Sequence, residues 1–130
     1  MVLLERLYIV VKKTHQAKLK IVQCTLCPKF CVIPEGEAGF CRVRLNKGRK
    51  LYTQVYGQPC SVAFHPMEQG PIFHAFPGAR CLAISTAGCN LRCKYCQNWQ
   101  MSQFSAVETS NYDLSPDKVI DVARENRCEA

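Results

Sequence analysis

Residues 88–99 read GCNLRCKYCQNW, which places cysteines at 89, 93 and 96 in a C-x3-C-x2-C spacing. A closed zinc site takes four ligands, and a redox pair needs only Cys-x-x-Cys. Three soft ligands in one short loop answer a different need. A cubane four-iron cluster has four iron corners, each taking a thiolate or an equivalent ligand. Cys89, Cys93 and Cys96 would therefore leave one iron open, and an open corner can bind a small molecule, as a catalytic zinc keeps one position for water or substrate. The alternative is a zinc knuckle completed by a remote fourth ligand, with Cys81, Cys60 or His74 as candidates.

A second group lies upstream in CTLCPKFCVIPEGEAGFC, where Cys24, Cys27, Cys31 and Cys41 form C-x2-C-x3-C-x9-C among prolines and glycines. Four ligands so close together suit a closed site. A module this small lacks the apolar core to fold by burial alone, so a bound metal would supply its stability. Zinc and a second iron–sulfur cluster both accept four thiolates, and the first three cysteines have the spacing of the 89–96 loop reversed, which keeps an auxiliary electron-relaying cluster among the options. Free buried thiols, which behave as small hydrophobes, fit Cys60, Cys81 and Cys128 better than these four.

The elements that must carry these groups follow from local pattern. Pro28, Pro34, Gly36 and Gly39 make the first stretch turn-rich, and RKLYTQVY (residues 49–56), after a turn at 46–48, reads as the second strand of a hairpin. Residues 65–80, HPMEQGPIFHAFPGAR, read as an irregular connection. Residues 81–85, CLAIS, form a short apolar run suited to a strand buried on both faces, as in a parallel sheet. The three-cysteine loop would then sit at the carboxyl end of a strand, where α/β sheets place their chemistry. In SPDKVIDVARENRC, Ser115 is an N-cap, Pro116 the first helical residue, Asp117 a first-turn acid, and Val119, Ile120, Val122 and Ala123 an apolar stripe. The expected organisation is a cysteine-rich module over 1–58, a Pro/Gly-rich connection over 59–80, and over 81–130 the first β/α unit of an α/β barrel.

Composition bounds the function. The chain has 130 residues, fewer than the roughly 200 or more of complete β/α barrels. Its first residues, MVLLERLYIVVKK, are apolar but broken by Glu5 and Arg6 and lack a small-residue cleavage site, so they make a poor signal peptide. No uncharged apolar run reaches the roughly 18 residues of a membrane span. A cytoplasmic location is expected, where the 10 cysteines would bind metal or react rather than form disulfides. The formal charge of +7 points toward nucleic acid, yet metal-bound thiols are thiolates, and filling both sites lowers it to about +4. With Lys and Arg scattered and no run of like charges, nucleic acid is disfavoured as the main partner.

The C-x3-C-x2-C spacing, with Gly88 before the first cysteine and aromatic Tyr95 before the last, resembles the signature of the radical S-adenosylmethionine (SAM) enzymes. Beyond it, CTLCPKFCVIPEGEAGFCRVRLNKG, VYGQP, HPMEQGPIFHAFPG and STAGCNLRCKYCQNWQMSQ resemble the radical SAM enzyme of the AmmeMemoRadiSam system, itself similar to pyruvate formate-lyase activating enzymes. The resemblance runs from about residue 22 to the C-terminus. It implies a partial radical SAM (β/α) barrel, a [4Fe-4S] cluster on Cys89, Cys93 and Cys96, SAM chelated through its methionine amino and carboxylate groups to the open iron, and backbone near Tyr95 against the adenine.

The implied reaction is reductive cleavage of SAM to a 5′-deoxyadenosyl radical that abstracts hydrogen, with glycyl-radical activation as one outcome. The cluster would be strongly reducing, at the low end of the −700 to +450 mV range of such clusters, and fed by a donor such as flavodoxin or ferredoxin. Memo-like and AMMECR1-like proteins are the implied associates. The sequence departs from the family pattern in two ways. Where the family carries Asp-Pro-x-Glu-Lys-Lys-Pro, this chain has HPMEQGP at 65–71. It also holds one β/α unit where the family's barrel has several, so it is expected to hold a cluster yet turn over poorly, because most of the walls that exclude water are missing.

Other residues invite plainer readings: His15, His65 and His74 as surface or packing groups, Glu68 as a solvated loop carboxylate, and Trp99 and Phe104 either as a shield for the cofactor or as packing for the first helix. The rival from another class is a non-catalytic zinc-ribbon module that binds nucleic acid or a protein partner.

Overall fold

Short strands joined by tight turns make up residues 20–53, as their glycines and prolines require. The structure, a computed structural model, describes residues 2–3, 20–70 and 72–129. It contains β1 (Val2–Leu3), β2 (Val22–Gln23), β3 (Val32–Ile33), β4 (Arg44–Lys47) and β5 (Lys50–Thr53). β2 and β3 pair antiparallel, and β5 lies between β1 and β4 in a three-stranded antiparallel sheet. With α1 (Trp99–Ser102) they belong to one compact unit, Met1–Tyr56 with Ala87–Ser110.

The expected hairpin is present, with its turn at Gly48 and Arg49 rather than at 46–48. Lys47 faces Lys50 across it, and Gly48 and Arg49 have φ of 63° and 61°, as a two-residue type I′ turn demands. Asn46, which by type looks like a turn residue, is fully buried. Its Nδ2 donates to the Lys20 and Ile33 carbonyls, both at 2.8 Å. Its backbone N–H donates to Glu37 and its carbonyl accepts from Gly36. These bonds tie β4 to the end of β3, while the buried Oδ1 of Asn46 has no partner among the described residues. The core of the unit is small: Val22, Cys24, Ile33 and Leu51, with Cys31 packed against it.

The second unit comprises Gly57–Thr86 and Asn111–Ala130. In it β6 (Ser61–Pro66) and β7 (Arg80–Ser85) pair antiparallel from Ser61↔Ser85 to Pro66↔Arg80. A 3₁₀ turn, Met67–Gln69, follows β6 and buries Met67. The helix α2 (Pro116–Glu125) starts as its sequence dictates, with the Ser115 side chain accepting from the Lys118 N–H and Pro116 in the first turn. It ends in a Schellman arrangement: Arg127 has φ 53°, its N–H reaches the Arg124 carbonyl, and the Cys128 N–H reaches Ala123.

Two sequence expectations are corrected here. The run 81–85 is not a parallel strand buried on both faces. It is most of β7, antiparallel to β6, with Ile84 and Ser85 exposed. Nor is 65–80 wholly irregular, since His65 and Pro66 close β6 and Met67–Gln69 is a 3₁₀ turn. An apolar run states that a strand is wanted but not which partner satisfies it, and SVAFHP supplies an antiparallel one. Proline is tolerated there because it ends the strand. Among the described residues every strand pair is antiparallel, and no barrel is formed. No helix among them is long and apolar enough to cross a membrane.

Candidate functional site

The three-cysteine loop is rooted at Gly88. This residue has φ 83°, a conformation open to glycine at little cost, and its N–H donates to the Met101 carbonyl at 2.9 Å. A Cβ at this position would overlap the carbonyl oxygen of Cys41 and meet Val43 Cγ1 at 2.7 Å. The loop thus begins in backbone contact with the last cysteine of the upstream group.

Arg92, between the first two cysteines of the loop, makes a second anchor. Its guanidinium lies 4.5 Å from the Phe40 ring centroid, and Nη2 donates to the Phe40 carbonyl at 3.0 Å. Nη1 donates to Gln103 Oε1, also at 3.0 Å. Lys29 Nζ stands 4.6 Å from the same ring. The planar fork of arginine can stack and donate in two directions at once, which an ammonium cannot.

Between these anchors the chain turns, with the Cys96 N–H donating to the Cys93 carbonyl at 3.3 Å. Cys93 is exposed, and Cys89 and Cys96 are half-buried. The Cys96 sulfur lies 3.2 Å from Oγ of Ser102, a buried residue of α1. Tyr95 is 91% exposed, so its ring does not help to hold the loop. Trp99 and Phe104 pack on each other with centroids 6.1 Å apart, and Trp99 stays 53% exposed.

In the upstream group the β2–β3 hairpin sets the geometry. The Cys24 N–H donates to the Cys31 carbonyl at 2.8 Å, and the turn between them is closed by the Phe30 N–H on the Cys27 carbonyl. The Cys31 sulfur accepts from the Phe40 N–H at 3.4 Å. Burial pushes the Cys24 thiol above its ordinary pKa; the Leu26 N–H on its sulfur opposes this, while nearby Cys41, Cys31 and Cys27 add to it. Cys24 thus feels all three other members of its group.

All ten cysteines are free thiols. Among the described residues no three Cys, His, Asp or Glu side chains are gathered as they would be around a metal ion. The donor chemistry still fits a thiophilic group: three thiols in one loop and four around the hairpin, without competing disulfides.

His65 Nδ1 lies 3.0 Å from its neighbour's carbonyl, that of Pro66, His74 is exposed, and His15 lies outside the described residues. Glu68 Oε1 accepts from the Gly78 N–H at 2.6 Å. Cys60, Cys81 and Cys128 are half-buried rather than buried. Sequence reasoning missed Arg92, Phe40 and Ser102. The first two are 52 residues apart, and no local pattern announces such a pair.

The chain is similar to an archaeal protein, "Uncharacterized protein MJ0808" of Methanocaldococcus jannaschii, with 41% identity over 107 residues that cover 82% of this chain and 32% of that protein. It therefore spans about a third of the length of this curated relative. No protein-family model matches the chain, and no solved structure does.

Proposed function

We propose that the chain is part of a radical SAM enzyme, with Cys89, Cys93 and Cys96 as the ligands of a [4Fe-4S] cluster. The observation that carries this reading is the three-thiol loop itself, which offers three ligands within eight residues and no fourth beside them. In this reading the bound cluster supplies the electron for reductive cleavage of SAM to a 5′-deoxyadenosyl radical.

The chain's own residues would do the rest. Gly88 and Arg92 fix the two ends of the first ligand interval against the Cys41 and Phe40 backbone. Ser102 offers a hydroxyl to the Cys96 sulfur, and a hydrogen bond to a cluster sulfur is one of the levers that set reduction potential. Exposed Cys93 and Tyr95 leave one side of the loop open for SAM. By the same resemblance the location is cytoplasmic, the electron donor flavodoxin or ferredoxin, the product a substrate or glycyl radical, and the associates Memo-like and AMMECR1-like proteins. The partial (β/α) barrel belongs to this proposal as well.

The second reading, a non-catalytic zinc-ribbon module, is favoured by one observation: β7 pairs antiparallel with β6 instead of opening a parallel sheet. Anaerobic reconstitution with iron and sulfide, followed by electron paramagnetic resonance of the reduced protein, separates the two. The enzyme reading expects a four-iron signal that changes when SAM is added and is lost in Cys93→Ala. Zinc uptake at the loop with no cluster signal would overturn it in favour of the ribbon.

A further inference from the structure

We propose that Cys24, Cys27, Cys31 and Cys41 form a closed tetrathiolate site for one tetrahedral divalent ion of the zinc type, independent of the Cys89 loop. The backbone brings the four residues to neighbouring turns, although their side chains are not gathered as around an ion in this structure. Register Gln23↔Val32 closes the β2–β3 hairpin so that Cys24 and Cys31 leave it side by side, joined by the 2.8 Å bond from the Cys24 N–H to the Cys31 carbonyl. Cys27 sits in the turn between them, and Phe30 is held there at φ 44°, a conformation a bulky side chain adopts only when its surroundings dictate it.

A second tight loop, closed by the Arg42 N–H on the Gly39 carbonyl at 2.7 Å, carries Cys41 toward the first. Arg42 takes a left-handed φ of 64° in it. The loop also lays the Phe40 N–H on the Cys31 sulfur. A sulfur that holds an ion can keep such a backbone N–H as its outer partner, which orients the ligand.

Space and stability agree. Gly39 packs so closely that a Cβ there would lie 3.0 Å from Ile33 Cδ1 and 3.6 Å from Cys31 Sγ. The contact with Cys31 is an ordinary van der Waals one, so glycine at 39 lets this loop lie against the hairpin beside Cys31. Four protein thiolates leave no open position, which marks a structural rather than a catalytic centre. The adjoining core of Val22, Cys24, Ile33 and Leu51 is too small to order two loops unaided. Binding would draw the four sulfurs onto the ion by side-chain rotation, with loss of the thiol protons to solvent.

The test uses the full chain carrying Cys89→Ser, Cys93→Ser and Cys96→Ser together, so that the other loop cannot contribute. Anaerobic titration with cobalt(II) is expected to give thiolate-to-cobalt charge-transfer bands and tetrahedral d–d bands that saturate at one equivalent. One equivalent of zinc should then displace them. Adding Cys60→Ser, Cys81→Ser and Cys128→Ser should leave the spectrum unchanged, whereas Cys41→Ser should weaken the charge-transfer band and loosen zinc by at least tenfold. A titration without saturation, or an octahedral cobalt spectrum, in the folded triple variant would overturn the site. So would a brown iron–sulfur chromophore at this group that zinc cannot displace.

Discussion

Gly88 is the residue on which the cysteine loop turns. Gly48 is also left-handed, but nothing lies within 4 Å of its missing Cβ, so an alanine there would meet only the backbone cost. At Gly88 an alanine meets both the left-handed backbone, about 1–2 kcal/mol, and the Cys41 carbonyl and Val43 side chain. Val43 is buried, so neither neighbour can step aside freely. Gly88→Ala is therefore expected to destabilise its unit by more than about 2 kcal/mol and to raise the alkylation rate of Cys89, measured by urea denaturation and by mass spectrometry of iodoacetamide-treated protein. Wild-type values for both would mean that the loop is not rooted on Cys41. Arg92 is the softer anchor, because an exposed cation–π contact contributes only about 0.5–1 kcal/mol. Its use is to fix direction.

Among the elements, the β4–β5 hairpin carries a titratable clamp. The Glu35 carboxylate accepts from the Gly48 N–H at 2.7 Å and from the Arg49 N–H at 3.3 Å, and these bonds, Gly48 first, hold its pKa below the ordinary carboxylate value, with Lys20 and Arg49 adding to the effect. A lowered folded-state pKa gives a contribution that is fully present above the unfolded carboxylate pKa and is lost as pH falls through the folded one. Unfolding of wild type and Glu35→Gln should therefore converge as the medium is acidified below the ordinary carboxylate range, with the variant less stable at neutral pH. A constant difference at every pH would remove Glu35 from the turn. The sequence announced α2 and this hairpin because their signals are local: Ser115 followed by Pro116, and a glycine between alternating residues. The turn shifted by two residues because Asn46 is turn-like by type and buried in fact. β6 and the hand of its pairing with β7 were not legible, since an apolar strand reads the same beside either kind of partner. The Arg92 to Phe40 contact was hidden for the same reason, as it depends on chain closure over 52 residues.

At the scale of the whole molecule, the two compact units do not follow chain order, because the first is completed by Ala87–Ser110 after the second has begun at Gly57. Both cysteine groups thus fall in one unit, while β6, β7 and α2 fall in the other. The proposed ion therefore has a reach set by contacts rather than by sequence distance. Cys41 would hold the ion through its sulfur while its carbonyl packs at the root of the Cys89 loop, and Phe40 beside it receives Arg92. Removing the ion should loosen residues 24–46 first, then residues 88–96 through these two contacts. The other unit keeps its own bonds, such as Cys60 N–H to Ser85 and Tyr112 N–H to Pro59, both made within it. Local openings of this kind follow cooperative units. Hydrogen exchange of zinc-loaded and chelator-treated protein is expected to show faster exchange at Cys24, Asn46 and Gly88 and unchanged rates at Cys60, Tyr112 and Asn126. Faster exchange across both units would make the chain one cooperative body. Unchanged exchange at Gly88 would mean that the loop stands without the upstream group, and its three cysteines would then owe their placement to Met101 and α1 alone.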